Sequence, residues 1–140
     1  MNVWVNGCFD ILHPGHMDLL KFAKNIECPT GENQLFVGID SDRRVKELKG
    51  NDRPLNDEQF RKKMLEAIKY VDSVTIYDTE DDMCHAIQFY NIDIMVVGEE
   101  YRDKRVLCRE HSKYDVVFFP KDHHSTTNII EKIKESWKKE

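Results

Sequence analysis

Short runs that are apolar throughout, separated by stretches of helical periodicity, limit what this chain can fold into more than any other feature. Val3-Trp4-Val5, Leu35 to Asp40, Val74 to Tyr77, Ile94 to Val97 and Val116 to Phe119 read as strands buried on both faces. Between and after them come amphipathic segments. One carries Met17, Leu19, Leu20, Phe22 and Ala23; a short one is capped by Ser41 or Asp42 and runs to Gly50. Residues 57–70 place Phe60, Met64, Leu65, Ile68 and Val71 at helical spacing, a helix follows around 81–90, and 125–137 sets Ile129, Ile130, Ile133 and Trp137 on an inner face. Such alternation predicts an α/β fold with a single doubly wound parallel sheet, whose ligands bind beyond the carboxyl ends of the strands. The loops after the first, second, fourth and fifth strands carry Asp10 to His16, Asp40 to Asp42, Gly98 to Tyr101 and Lys121 to Thr127, and all are expected on one rim.

The 140 residues fit one domain, 1–140, and leave no room for a second RNA-binding or regulatory module. No apolar run reaches the eighteen or more residues of a membrane span, and Met1-Asn2-Val3-Trp4 lacks the basic start of a secretory signal, so a cytoplasmic protein is expected. A net charge of −5 argues against nucleic acid as a partner. Residues 43–63 nevertheless hold eight basic side chains against four acidic ones, a patch suited to a small polyanion. The four cysteines form no Cys-x-x-Cys pair, which predicts reduced thiols rather than a zinc site or a disulfide framework.

Chemistry concentrates where the first strand meets the first helix, in Gly7-Cys8-Phe9-Asp10-Ile11-Leu12-His13-Pro14-Gly15-His16. A helix start offers unpaired N–H groups and the positive end of the macrodipole, which favour phosphate. His13 and His16 share one face of that turn as hydrogen-bond donors, and Gly15 leaves room for a ligand. Cys8 is read as a small packing residue of the loop and Asp10 as its organising acceptor. The adjacent His123 and His124 are poorly placed to ligate one ion.

On these residues the chain resembles, over essentially its whole length, the small nucleotidyltransferases of the cytidylyltransferase-like superfamily. Gly7 to His16 is similar to the first signature of that group, Arg61 falls where an arginine is expected, and Ser125-Thr126-Thr127-Asn128-Ile129-Ile130 resembles the closing signature. Two subfamilies come nearest: glycerol-3-phosphate cytidylyltransferase and the nucleotidyl-transferring domain of ADP-heptose synthase. Asp40-Ser41-Asp42, Leu48-Lys49-Gly50 and Arg53-Pro54 look more like the heptose enzyme. So does Pro120, which stands where the cytidylyltransferases carry an arginine; Lys121 is the nearby charge. Val97 replaces a lysine of the heptose pattern, and Glu100 stands where an aspartate is usual.

The resemblance implies a Rossmann-like nucleotidyltransferase fold, Mg2+ as cofactor and a homodimer. The implied substrates are a nucleoside triphosphate, ATP or CTP, and a phosphorylated sugar or polyol. An acceptor phosphate oxygen attacks the α-phosphorus and pyrophosphate leaves. It assigns catalysis to His13, His16, Lys49 and Arg61, and the acceptor to Lys46 and Lys49. Nucleotide binding falls to Gly7, Cys8, Phe9, Gly15, Asp40, Gly98, Glu100, Ser125, Thr126 and Thr127. Asp40 and Glu100 are implied partners of ribose hydroxyls or magnesium, and the Mg2+ ligands stay open. A nucleotide-binding sensor without turnover is the alternative of another class.

Overall fold

The structure, a computed structural model, describes residues 1–29, 31–120 and 126–138. Five parallel strands lie in the order β3-β2-β1-β4-β5, with β1 Asn2–Gly7, β2 Gln34–Asp40, β3 Ser73–Tyr77, β4 Ile94–Gly98 and β5 Val117–Phe119. The helices are α1 Pro14–Lys24, α2 Asp42–Lys49, α3 Glu58–Glu66, α4 Glu80–Phe89 and α5 Thr126–Lys138. The order of strand addition reverses at β1: β2 and β3 lie to one side and β4 and β5 to the other, so a crevice opens between the carboxyl ends of β1 and β4. The doubly wound parallel sheet read from the sequence is the fold.

Strand alternation supplies two cores. Val3, Val5, Leu35, Val37 and Ile39 point to one face with Leu20 of α1 and Leu65 of α3, while Trp4 and Phe36 point to the other with Met83 and Ile87 of α4. Trp4 is fully buried and its indole lies flat over Gly38, where an added Cβ would stand 2.2 Å from Cζ2 and 2.6 Å from Cη2. With no space for the ring to retreat, Gly38→Ala is expected to cost on the order of 2–3 kcal/mol in chemical denaturation.

Three expectations are corrected. The helix expected over 57–70 ends as regular helix at Glu66, after which i→i+3 bonds (Ile68 N–H to Leu65 O, Val71 N–H to Ile68 O) tighten the chain into turns that lead to β3. Its buried face carries Arg61 and Leu65, leaving Phe60 and Met64 about half exposed at 50% and 47%. In α5 Ile133 is likewise 50% exposed, and Ile129 and Ile130 are only half-buried. Finally, Cys84 and Cys108, expected as reduced thiols, form a disulfide: the fold brings α4 and the β4–β5 connection to a Cα separation of 5.3 Å, within disulfide range. Cys8 and Cys28 are not in disulfides.

Candidate active site

Helix α1 starts with Pro14 in its first turn, where a missing N–H costs nothing, and His13 is its extended N-cap. The two imidazoles form a capping box with each other. His13 Nδ1 accepts the Gly15 N–H at 3.1 Å, and His16 Nδ1 accepts the His13 N–H at 3.2 Å. Each neutral ring must therefore carry its proton on Nε2, the edge turned away from the helix backbone. The rings stack with centroids 3.8 Å apart, and Phe9 packs on His16 at 5.1 Å. The sequence thus uses histidine where serine and glutamate usually cap, and the by-product is a stacked pair of imidazole N–H donors, of which His16 lines the cleft described next.

Burial, the neighbouring His13 and the positive charge of Lys49 pull the His16 pKa down from 6.5 to about 4. Near pH 7 the ring is neutral and in the tautomer that the capping box needs. The unfolded chain binds this proton below pH 6.5 and the folded one only near pH 4, so His16 contributes stability above pH 6.5 that is lost as pH falls toward 4. Denaturant melts at pH 7 and pH 4.5 should show a loss of roughly 1–3 kcal/mol that is absent in His16→Gln.

His16 opens onto a cleft of about 440 Å³ at the β1/β4 switch point, a size suited to a nucleotide. Gly7, Cys8 and Phe9 form its floor. Phe9 has φ +52, a left-handed turn that folds its ring to within 3.2 Å of where a Gly7 Cβ would be. Burial raises the Cys8 thiol pKa above its usual value, so the group stays protonated and packs instead of acting as a nucleophile. Across the cleft, the Glu100 carboxylate curls back over Gly98, where a Cβ would lie 2.5 Å from Oε2. Lys49, in the last turn of α2, supplies positive charge to the same cleft.

Arg61, which the resemblance assigns to catalysis, turns its guanidinium into the fold. Only 1% exposed, it donates from Nη1 to the carbonyls of Cys8 and Asp40, from Nε to that of Asn56, and from Nη2 to Asp42 Oδ1 at 2.8 Å. It is a staple that joins the β1 loop, the end of β2 and the turn before α3. Asp10 is the organiser expected, accepting the N–H groups of Leu55 and Asn56 and pairing with Arg53. The basic patch is accordingly weaker than its count: Arg43, Arg44, Arg53 and Arg61 are each paired with carboxylates.

Lys46 is exposed on α2 and does not reach the cleft, unlike Lys49 one turn on. Gly15 is buried in the first turn of α1, and Thr127 is exposed in that of α5. Lys121, His123, His124 and Ser125 lie outside the described residues, as does the side chain of Thr126. Asp40 lines the cleft, held by Arg44 at 3.0 Å.

The other end of the cleft holds groups that the sequence reading missed. Asn6 is the last residue but one of β1, Tyr77 ends β3, and Met83 and Arg105 complete that end. The Tyr77 hydroxyl meets Asp40 and receives the Asn6 amide at 3.4 Å, and Arg44 lies over its ring at 5.6 Å. Burial and the adjacent Asp40 carboxylate raise the Tyr77 pKa, which keeps the phenol neutral. A polar residue closing an otherwise apolar strand was the signal for Asn6; Arg105, on a long connection, carries none.

A family profile described as cytidylyltransferase-like matches residues 4–132 of this architecture, nearly its whole length. The chain belongs to the cytidylyltransferase-like family. Within that family it is 46% identical over 132 residues to bifunctional protein HldE of Campylobacter fetus and 39% identical to that of Helicobacter pylori strain P12. These alignments cover 94% of the chain but only 28% and 27% of the relatives, so the chain spans little more than a quarter of their length. A lipopolysaccharide core biosynthesis protein from Thermoplasma volcanium superposes with a TM-score of 0.66 over 89% of this chain and 98% of its own, at 24% identity, a likeness of fold. The matched residues include the stretch that folds here into the histidine capping box.

Proposed function

We propose that the domain transfers a nucleoside monophosphate, AMP foremost, from a nucleoside triphosphate to the phosphate of a phosphorylated sugar of the heptose 1-phosphate type, releasing pyrophosphate. The observation that carries this reading is the imidazole pair at the switch point of the sheet, in which both Nδ1 atoms accept backbone N–H groups and so leave Nε2 as the donor. Both reactants are anions, so catalysis consists of aligning them and stabilising charge that moves onto the bridging oxygen. His13 and His16 donate to the triphosphate and Lys49 offsets repulsion between the two phosphates. Ser125 and Thr126 are assigned to the β and γ phosphates, and Thr127 to nucleotide binding. Arg61 is a positioning residue: it fixes the Cys8 and Asp40 carbonyls and so the loop that carries the histidines.

Magnesium enters with the triphosphate. The donor set fits an ion held mostly by phosphate oxygens, because Asp40 is engaged by Arg44 and Glu100 is the carboxylate beside Gly98. When bound, Mg2+ neutralises charge on the departing pyrophosphate. Acceptor hydroxyls face Asn6, Asp40 and Tyr77, a set of donors and acceptors suited to a polyol chain.

The resemblance of Asp40-Ser41-Asp42 and Leu48-Lys49-Gly50 to the heptose enzyme supports a sugar acceptor over glycerol 3-phosphate. Pyrophosphate release measured over four nucleoside triphosphates against heptose 1-phosphate, glycerol 3-phosphate and phosphocholine tests the reading. ATP with heptose 1-phosphate is expected to turn over fastest. CTP with glycerol 3-phosphate as the fastest pair would replace that reading, and nucleotide binding without release would mark a sensor.

A homodimer and a cytoplasmic location belong to the same proposal. Phe60 and Met64, half exposed one helical turn apart on α3, support the dimer, which light scattering would detect as twice the 16.6 kDa chain mass. Among the described residues no helix is long and apolar enough to cross a membrane.

A further inference from the structure

The connection from Glu99 to Val116, between β4 and β5, contains only two single turns of 3-10 helix, Glu99–Tyr101 and Arg109–His111, yet it builds one wall of the cleft through Tyr101, Arg105, Val106 and Leu107. A long irregular segment of this kind needs anchors to hold a shape. Downstream, the N–H groups of Lys113 and Tyr114 donate to the carbonyls of Ile92 and Asp93. Upstream, Arg105 pairs with Glu80 at 2.6 Å, but both side chains are exposed, at 71% and 36%, and such pairs hold weakly. Between these lies the Cys84–Cys108 disulfide, which ties the segment to α4 one residue beyond Leu107. Cys108 is fully buried and sits at φ +61, a conformation that a residue with a side chain keeps only where its surroundings impose it.

We infer that the Cys84–Cys108 disulfide is a redox-sensitive clasp: oxidised, it holds the 105–107 wall against the cleft, and a dithiol reductant releases that wall. Cys84 is half-buried and Cys108 fully so, which directs attack to Cys84. A thiolate of the reductant attacks Cys84 Sγ, and the electron pair of the broken S–S bond leaves on Cys108 Sγ, which takes up a proton. The second thiol of the reductant then attacks the mixed disulfide and frees Cys84. Two electrons pass to the protein, which gains two S–H groups, and the reductant ends as its own disulfide. With Cys108 released, the strained backbone at that position relaxes and Arg105 keeps only its exposed ion pair.

The test compares the full chain oxidised and treated with dithiothreitol. Alkylation under denaturing conditions should add two groups to the oxidised protein, at Cys8 and Cys28, and four after reduction. Amide exchange over residues 103–110 should accelerate by roughly tenfold on reduction while β1 and β2 stay unchanged. The double variant C84S/C108S should match the reduced protein and ignore the reductant. Four alkylated cysteines in protein equilibrated with oxidised dithiothreitol, or equal exchange in the two states of the natural chain, would overturn the clasp; neither measurement depends on the variant folding. A rise of several-fold in acceptor KM on reduction, with nucleotide KM nearly constant, extends the effect to the proposed reaction and rests on that reading. An absence of turnover with every substrate pair would count against the reaction, and the exchange data would still decide the clasp.

Discussion

His16→Ala is expected to lower kcat by roughly a hundredfold or more, about 2.7 kcal/mol of transition-state stabilisation, with a much smaller change in nucleotide affinity. The split follows from the assigned contact: the Nε2 proton meets charge that develops as the α-phosphorus is attacked. Alanine also deletes the acceptor of the His13 N–H, so part of its effect is a lost helix cap, worth about 1 kcal/mol. His16→Gln separates the two contributions. Glutamine at the third helical position can accept the N-cap N–H as in an ordinary capping box, but it does not restore the imidazole Nε2–H. Near-natural stability with kcat still depressed is the expected result in steady-state kinetics and denaturant melts. A glutamine variant with full turnover would remove the imidazole from the chemistry.

The second large effect belongs to Arg61→Met, which should destabilise the fold by about 3–5 kcal/mol. Methionine fills the space but orphans the carbonyls of Cys8, Asp40 and Asn56 and leaves Asp42 without its partner. Against a total stability of about 5–15 kcal/mol this lowers the melting temperature by on the order of 10 °C or more. Arg61→Lys is expected to recover less than half of the loss, since one ammonium cannot reach four acceptors spread around a planar fork. Calorimetry on the three proteins checks both numbers. A direct phosphate ligand would behave otherwise, with Arg61→Met raising KM and leaving the melting temperature in place.

These two residues also mark how far the sequence could be read. The parallel sheet was legible because β1, β2 and β4 are apolar on both faces, a pattern that water-exposed strands do not tolerate. The histidine pair was legible because a strand, a turn and a helix start leave backbone N–H groups for it to complement. Arg61 was legible as a position and misread as a role. Its acceptors are mostly backbone carbonyls, which every residue has, so no side-chain pattern distinguishes a buried staple from a solvated ligand. The same reason hides Phe60 and Met64, whose helical spacing satisfies a core pattern although the buried face of α3 is set by Arg61 and Leu65. Cys84 and Cys108, 24 residues apart, meet only because α4 and the β4–β5 connection fold onto one another. Asn6 and Tyr77 lie at or next to strand ends, where a polar side chain reaches the rim, and that signal was available at Asn6.

Two neutral imidazoles, locked by hydrogen bonds from the backbone N–H groups of Gly15 and His13, are proposed to aim Nε2–H groups at a bound triphosphate. Nitrogen-15 spectra of the histidine side chains at pH 7 decide this. Both rings are expected as neutral Nε2–H tautomers in the free protein, with the His16 Nε2 resonance shifting when the magnesium complex of the nucleotide is added. An Nδ1–H tautomer at His16, a protonated ring, or resonances indifferent to saturating nucleotide would contradict it.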